Sequence, residues 1–498
     1  MDQSQLSIPR LLLLVAEVVA FVILGIVASN HFGWSDGAKI TAAFTLAYAV
    51  PSFILERARG TSLAARFILF LLALLLIYTD YGRLVYSSSF EGYSLAFPKL
   101  RGDDYLYYKY ALSLYDNSVQ CDGVIFPGLS WFMLGLWKLF GLSEIWPYAM
   151  NMMFTLTTVT LTGMTTRRLL SHRVKSSPEF LVAGGILLTC LLTYHVLIGS
   201  RLIKEGPISL AMAMAGFALA SMAACELERR HLWRDMALFT VACVIAALVR
   251  TTYLYFILVG LVIMTLPHWR RDWRMAAGML AVFVLSFILG NYVSAYSIGR
   301  HAEIVSGGWN MQRIFVSTDS QAFYRQLLNY YFLYSVGHKL LMLPLTLSVQ
   351  FIIPFPWVYS DTPHIITVVA RFTYGWYFVG GTALFYYLRL AWRKSERLGA
   401  WPWWAAICYA CIAYIMAGSM ARYAIPVQPL FIPVAMYVLC RLREGHWLKA
   451  YTIWMIILVI LLTTTLLLCL EIQQGTISKM LHIQPLLPIL SSWLPPVS

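Results

Sequence analysis

The chain has 498 residues, of which 60% are hydrophobic and only 12% are charged. Soluble domains have roughly 45–50% apolar and about 25% charged residues, so this composition excludes an ordinary soluble globule. The apolar residues extend over the whole length, which also excludes a soluble domain carried on a single anchor. We therefore predict an all-α fold, a polytopic helical membrane protein.

About thirteen segments are candidates for membrane spans, each of which needs roughly 20 mostly apolar residues. The segments are 11–29, 38–55, 66–86, 145–166, 180–198, 207–225, 235–249, 251–267, 275–297, 369–388, 403–418, 424–440 and 450–470. The pair 235–249 and 251–267 fits least well, since both are short and they meet at Arg250.

The net charge is +14, from 37 Lys and Arg against 23 Asp and Glu. Basic residues collect in the cytoplasmic loops of membrane proteins. A cytoplasmic N-terminus places the basic clusters at 57–66, 167–175, 229–234, 270–274, 389–397 and 441–449 inside. The C-terminus is then outside. Membrane lipids are expected partners, binding of an anionic lipid or its phosphate is the second explanation of the charge, and nucleic acid is not expected.

This orientation leaves two large outer regions, 87–144 and 298–368. Each contains an apolar stretch that is unsuited to spanning. Phe126–Leu142 is interrupted by Lys138, and Leu340–Trp357 contains three prolines. Both stretches are typical of interfacial or re-entrant helices on the outer leaflet.

The acidic residues favour chemistry at the outer face over transport. Only Glu17 lies well inside a predicted span, with Asp80 near an outer helix end. Ion-coupled transporters usually keep acidic residues at mid-membrane. By contrast, the first outer region contains Glu91, Asp103, Asp104, Asp116, Asp122 and Glu144.

Asp103 and Asp104 stand in the segment Arg101–Ala111, which is rich in tyrosine. Adjacent carboxylates disfavour each other's ionisation, which suits a general base. The alternative is an Asp-Asp helix cap, with Tyr105, Tyr108 and Ala111 packing at helical spacing.

An Asp-Asp pair followed by an aromatic residue and Ala, in the first large outer loop, resembles the GT-C superfamily of polyprenyl-phosphate-dependent glycosyltransferases. Relatives of that kind include protein O-mannosyltransferases and lipid A aminoarabinose transferases. Further matching motifs, in order, are Phe126-Pro127-Gly128-Leu129, Leu139-Phe140-Gly141, Thr166-Arg167-Arg168-Leu169 and Ala421-Arg422-Tyr423-Ala424-Ile425-Pro426.

The resemblance covers roughly 66–440, which we predict to be a GT-C-like membrane core. Residues 1–65 form two helices that precede the usual first one, and residues 441–498 form a last helix and an outer-surface tail. Pro127-Gly128 stands where the family has a pair of prolines.

The resemblance implies that Asp103 or Asp104 is a general base. It would deprotonate an acceptor hydroxyl while a sugar leaves its lipid phosphate, usually with inversion. The phosphate needs cations at its oxygens. The outer-face candidates are Arg422, Arg201, Lys204, Arg250 and Arg371. Snorkelling to lipid headgroups is the alternative role for these cations. Candidate substrate-lining residues are Tyr105, Tyr108, Glu205 and Trp357.

Some relatives use a divalent metal ion, and the second outer region contains three histidines together with carboxylates. The histidines are His301, His338 and His364. Their spacing matches no metal signature, which favours polar loop residues over metal ligands.

The sequence thus predicts a glycosyltransferase of a bacterial inner membrane. It would move a sugar from an undecaprenyl-phosphate carrier to a glycan or lipid acceptor on the outer face. One alternative is a polysaccharide polymerase or ligase that uses a diphosphate-linked oligosaccharide. The other is a lipid or drug transporter without catalysis, for which functional charges at mid-membrane and an internal repeat would be typical.

Overall fold

A computed structural model of the chain describes residues 8–57, 62–90, 94–95, 103–116, 128–192, 204–223, 229–266, 269–293, 340–341, 343–352, 374–392, 398–416 and 421–474. These residues are almost entirely helical, as the composition predicts.

The helices fall into an N-terminal, a central and a C-terminal set. The first two sets are α1 Ile8–Phe32, α2 Trp34–Arg57, α3 Leu63–Ser88, α4 Asp103–Tyr115, α5 Gly128–Phe140, α6 Ile145–Leu170, α7 Pro178–Leu191, α8 Glu205–Ala223, α9 Arg229–Arg250, α10 Thr252–Thr265 and α11 Trp269–Val293. The last set is α12 Leu343–Ile352, α13 Tyr374–Trp392, α14 Trp401–Met416, α15 Ile432–Arg443 and α16 Leu448–Gln474.

Within the described part of the chain, five helices are long and apolar enough to cross a membrane: α1, α2, α3, α8 and α11. Shorter apolar helices occur in α7, α10 and α16. The fold is therefore compatible with an integral membrane protein. Each of the predicted segments overlaps a helix. The spans beyond these five, like the GT-C fold, stay predictions.

Helix α6 lies at the centre and contacts α2, α3, α7, α8 and α15. A helix buried on nearly all sides must satisfy its polar side chains locally. Thr158, Thr162 and Thr166 do so, each donating to the carbonyl four residues earlier at 2.8 Å. Gly185 of α7 crosses closely, and a Cβ there would lie 2.9 Å from the Cα of Gly163. Small residues let such helices approach closely.

The carboxylate of Glu17, buried in α1, has partners on both neighbouring helices. It accepts a hydrogen bond of 2.5 Å from the Tyr48 hydroxyl on α2 and one of 2.8 Å from Arg66 Nε on α3. Glu56 also contacts Arg66. A buried carboxylate is tolerated when it is paired and hydrogen-bonded, so this contact joins α1, α2 and α3.

A second buried carboxylate joins α6, α8 and α9 at one end of the bundle. Asp235 accepts hydrogen bonds from Ser221 at 2.7 Å and from Arg168 Nη1 at 3.3 Å. Arg168 also donates to the carbonyl of Phe217 at 2.6 Å, and its guanidinium lies 4.0 Å from the centroid of the Phe217 ring. This set of contacts fixes the helix ends opposite to those that carry the candidate site.

Candidate functional site

Helices α4 and α5 pack against each other beside the start of α6. The Ser130 hydroxyl donates to the carbonyl of Tyr107 at 2.8 Å, and the rings of Tyr108 and Trp137 lie 4.9 Å apart. With 13 residues, α5 is roughly 20 Å long, too short to span a bilayer. It ends at Phe140, and Gly141 follows with a φ of +85°, the glycine end that the motif predicts.

The predicted aspartates lie at the start of α4. Asp103 and Asp104 form its first turn, while their side chains lie outside the described residues. Carboxylates in the first turn of a helix interact favourably with its dipole, so the helix-start explanation and the general-base explanation both stand. The placement fixes the backbone that presents the pair.

The two predicted substrate-lining tyrosines of α4 differ in their surroundings. Tyr105 is 45% exposed, and the ammonium group of Lys109 lies 5.7 Å from its ring centroid. Tyr108 is 4% exposed and packs against Trp137. Burial and the nearby negative charge of Glu144 raise the pKa of Tyr108, so its phenol stays protonated. Tyr105 is the tyrosine open to a substrate.

Three predicted site residues lie at the starts of α8 and α15 and at the end of α9. Lys204 precedes α8, Glu205 opens it, and Arg250 ends α9. Arg250 Nη1 lies 3.7 Å from Glu205 Oε1, and both side chains are buried. The Arg250 guanidinium also lies 4.0 Å from the ring centroid of Tyr423.

Tyr423 is in the 3-10 turn Ala421–Ala424, which contains Arg422. The Tyr253 hydroxyl donates to the carbonyl of Tyr423 at 2.7 Å. Arg250 and Tyr253 thus hold this turn from the side of α9 and α10. The side chain of Arg422 lies outside the described residues. Its backbone is next to the Arg250 contact, so two predicted phosphate-binding positions share one location.

Gly128, the first residue of α5, brings the first outer region to this location. A Cβ at position 128 would collide with the backbone carbonyl of Leu248, two residues before Arg250. Glycine is the residue that permits such a close backbone approach. This contact gives a physical reason for Pro127-Gly128 in place of the family's two prolines.

Another buried polar cluster, at the end of α3, has no role in the sequence prediction. Asp80 is 1% exposed, and neither carboxylate oxygen has a hydrogen-bond partner among the described residues. Arg83 and Glu144 are the charged groups that interact with it. The Arg83 guanidinium lies 5.0 Å from the Tyr148 ring, and Glu144, 1% exposed, donates its N–H to Leu95 at 2.6 Å.

The sequence offered one signal for this cluster. Asp80 and Arg83 are three residues apart near the end of an apolar helix, where ionisable groups are costly and usually functional. Glu144, by contrast, stands at the start of α6, and nothing local indicates that it meets them. The cluster lies at the same ends of the helices as Glu205 and Arg250.

The remaining predicted site residues lie outside the described residues. They are Arg201, Arg371, Trp357, His301, His338 and His364. Among the residues that the structure describes, no group of three or more His, Cys, Asp or Glu side chains could hold a metal ion.

Comparison of the chain with family models, with curated proteins and with solved structures finds no match. The functional argument therefore depends on the geometry above and on the sequence motifs.

Proposed function

We propose that this chain is a GT-C-type glycosyltransferase of a bacterial inner membrane, with a cytoplasmic N-terminus and the C-terminus outside. Its donor would be a sugar on a polyprenyl phosphate such as undecaprenyl phosphate, and its acceptor a glycan or lipid on the outer face. The family assignment is supported by the order of the motifs from Asp103 to Pro426.

The observation that carries the proposal is the convergence at Arg250. Glu205, Tyr423 and the turn with Arg422 come from distant parts of the sequence and meet there. The start of α5 packs two residues away from it. A buried guanidinium at a helix end, beside a second arginine, is suitable for the oxygens of a leaving phosphate.

In the proposed reaction, Asp103 or Asp104 accepts the proton of the acceptor hydroxyl. The acceptor oxygen attacks the anomeric carbon while the bond from that carbon to the phosphate oxygen breaks. Arg422 and Arg250 stabilise the negative charge that develops on the departing polyprenyl phosphate. A positioned carboxylate base contributes about 10²–10⁴-fold to the rate of such a step.

The transporter alternative finds less support. Ion-coupled transporters use acidic residues inside spans as relays. Glu17, the carboxylate well inside a predicted span, is hydrogen-bonded to Tyr48 and Arg66 and contributes to helix packing. Its position in α1 also separates it from Arg250.

The test is an assay of purified protein with lipid-linked sugars, scored for release of free polyprenyl phosphate. Arg422→Ala should weaken donor use severely, since a bidentate arginine–phosphate contact is poorly replaced. Lys109→Ala, which removes an exposed cation of α4, is the matched control. Release of polyprenyl diphosphate instead would favour the polymerase or ligase. No turnover with either donor class, by protein that binds neither, would refute the proposal.

A further inference from the structure

The connection between α15 and α16 holds a tryptophan in an uncommon conformation. Helix α15 is followed by Gly445 with a φ of +83°, and His446 donates its N–H to the carbonyl of Arg441 at 2.9 Å. Trp447 then has a φ of +62°, which bulky residues rarely adopt. Its carbonyl accepts the N–H of Tyr451 at 2.9 Å, so Trp447 directly precedes α16.

The indole of Trp447 is held between two helices and meets a cation from each. The Arg389 guanidinium, from the end of α13, lies 4.7 Å from the ring centroid. The Arg441 guanidinium, from the end of α15, lies 5.6 Å from it. Phe385 and Tyr437 pack against the same ring at 6.3 and 6.1 Å. We call Arg389, Arg441 and Trp447 the Trp447 cluster.

The charge of the Trp447 cluster is only partly balanced. Glu444 pairs with Arg441 at 2.9 Å. Arg389 has no carboxylate within 4.0 Å in the described ranges, and its Nε is buried without an acceptor there. The positive charges of Lys175, Arg443 and Lys449 stand in the same loops and helix ends. A buried donor without an acceptor is costly, so an anionic ligand would stabilise this arrangement.

The location identifies the source of the anion. Helix α16 presents large apolar side chains to its surroundings directly after Trp447, with Leu448 61%, Ile453 59% and Ile456 55% exposed. In a membrane these side chains contact acyl chains. The Trp447 cluster therefore stands at the level of the lipid headgroups, where tryptophan is also enriched. On the predicted orientation this is the cytoplasmic leaflet.

We propose that the Trp447 cluster binds the phosphate of an anionic glycerophospholipid. Arg389 and Arg441 would donate to the phosphate oxygens, and the indole would hold both guanidinium planes in place. Trp447 has no side-chain oxygen to cap the first-turn amides of α16, so these amides add a favourable dipole for the anion. The site is independent of the glycosyltransferase proposal, since it lies at the opposite helix ends from Arg250.

The test compares lipid retention in nanodiscs that contain phosphatidylglycerol and phosphatidylcholine, read by native mass spectrometry. The wild-type protein should retain phosphatidylglycerol selectively. Arg389→Gln should lower that enrichment about tenfold, the effect of losing one charge-assisted contact. Arg443→Gln is the matched control, because Arg443 lies over Phe180 and not over Trp447. It removes the same charge and should leave the enrichment within about twofold, as expected for weak surface electrostatics.

An unchanged enrichment in Arg389→Gln, or an equal loss in Arg443→Gln, would overturn the proposal. If Arg389→Gln does not fold, Arg389→Lys decides. It keeps the charge but loses the bidentate geometry, so enrichment should still fall, and wild-type retention would refute the site. Excess inorganic phosphate distinguishes the source: full displacement of phosphatidylglycerol would mean that the ligand is a free anion rather than a lipid headgroup.

Discussion

The guanidinium of Arg250 lies 4.0 Å above the ring of Tyr423, which joins the end of α9 to the turn that contains Arg422. The same guanidinium lies 3.7 Å from the carboxylate of Glu205. Arg250 therefore serves two separable purposes, a structural partner for Glu205 and a cation beside Arg422.

A double-variant experiment separates these two purposes. Arg250→Gln leaves Glu205 buried without its cation, which should cost about 3 kcal/mol of stability and also weaken donor use. Adding Glu205→Gln should restore most of the apparent melting temperature but not the KM for the lipid-linked donor. Arg274→Gln, an exposed arginine at the opposite end of the bundle, is the control. Recovery of both stability and donor use would reduce Arg250 to a partner of Glu205.

Asp80 and Asp235 form a second matched comparison, since both are about 1% exposed but only Asp235 is hydrogen-bonded in the part of the chain that is described. Asp235→Asn removes charge from its contacts with Ser221 and Arg168 and should destabilise the protein by about 1–3 kcal/mol. Asp80→Asn should leave the melting temperature unchanged or raise it, because a buried charge without partners is costly.

The activity of Asp80→Asn then reports the role of the carboxylate. We expect lower transfer, since a buried acidic group that offers no structural benefit near the candidate site is typical of function. Normal transfer together with a lower melting temperature would show that Asp80 is instead a structural group with a partner outside the described residues.

The sequence predicted the helices well because an apolar run is a property of consecutive residues. Glu17 was recognisable as the carboxylate well inside a span for the same reason. Its partners were not, since Tyr48 and Arg66 come from two other helices and only tertiary packing brings them to α1. The glycine end of α5 was predictable because Gly141 acts locally.

The site shows the same division. The sequence identified Glu205 and Arg250 one at a time, each as a charge near an outer helix end. That they pair at 3.7 Å depends on how α8 and α9 meet. The cluster of Asp80, Arg83 and Glu144 was missed because Glu144 joins it through the packing of α6 on α3. No local pattern encodes such a contact.

Glu444 should make stability depend on pH. Hydrogen bonds from the backbone N–H of Lys175 and from Arg441 lower the pKa of Glu444 below its ordinary value of 4.5. The folded state then binds fewer protons than the unfolded state near that pH, so stability falls as the pH falls. The contribution is fully present above the ordinary value and is lost as the pH passes below it, through the lowered pKa.

Melting temperatures of the wild type and of Glu444→Gln, measured from neutral to acidic pH, check this expectation. The wild type should be more stable at neutral pH, and the difference should shrink as the pH drops below about 4.5. Glu179→Gln, an exposed carboxylate in the first turn of α7, is the control. A difference that grows toward acid pH would contradict the sign of the argument.

The predicted orientation has its own test. Cys121, in the first outer region and outside the described residues, should react with a membrane-impermeant maleimide in intact cells. In a background without other cysteines, Ser395→Cys should react only after permeabilisation, because it lies in the basic 389–397 cluster. Labelling of Ser395→Cys from outside would overturn the topology and the outer-face site with it.

The Asp-Asp pair gives the sharpest test of catalysis. Asn at the base position keeps the shape of Asp but cannot accept the proton, so turnover should fall by roughly 10²-fold or more. We expect Asp103→Asn to have the larger effect, since the first acidic position of the family's pair most often carries the chemistry. Loss of one carboxylate from the first turn of α4 costs only about 0.3–1 kcal/mol, so expression and donor binding should persist.

Asp116→Asn, at the other end of α4, is the matched control and should transfer sugar normally. Two measurements decide the outcome: single-turnover release of polyprenyl phosphate and binding of the donor. If Asp103→Asn and Asp104→Asn both retain near-normal transfer while wild-type turnover is established, the base lies elsewhere. Both aspartates would then serve to start α4, because their charge favours a helix N-terminus whether or not a substrate is near.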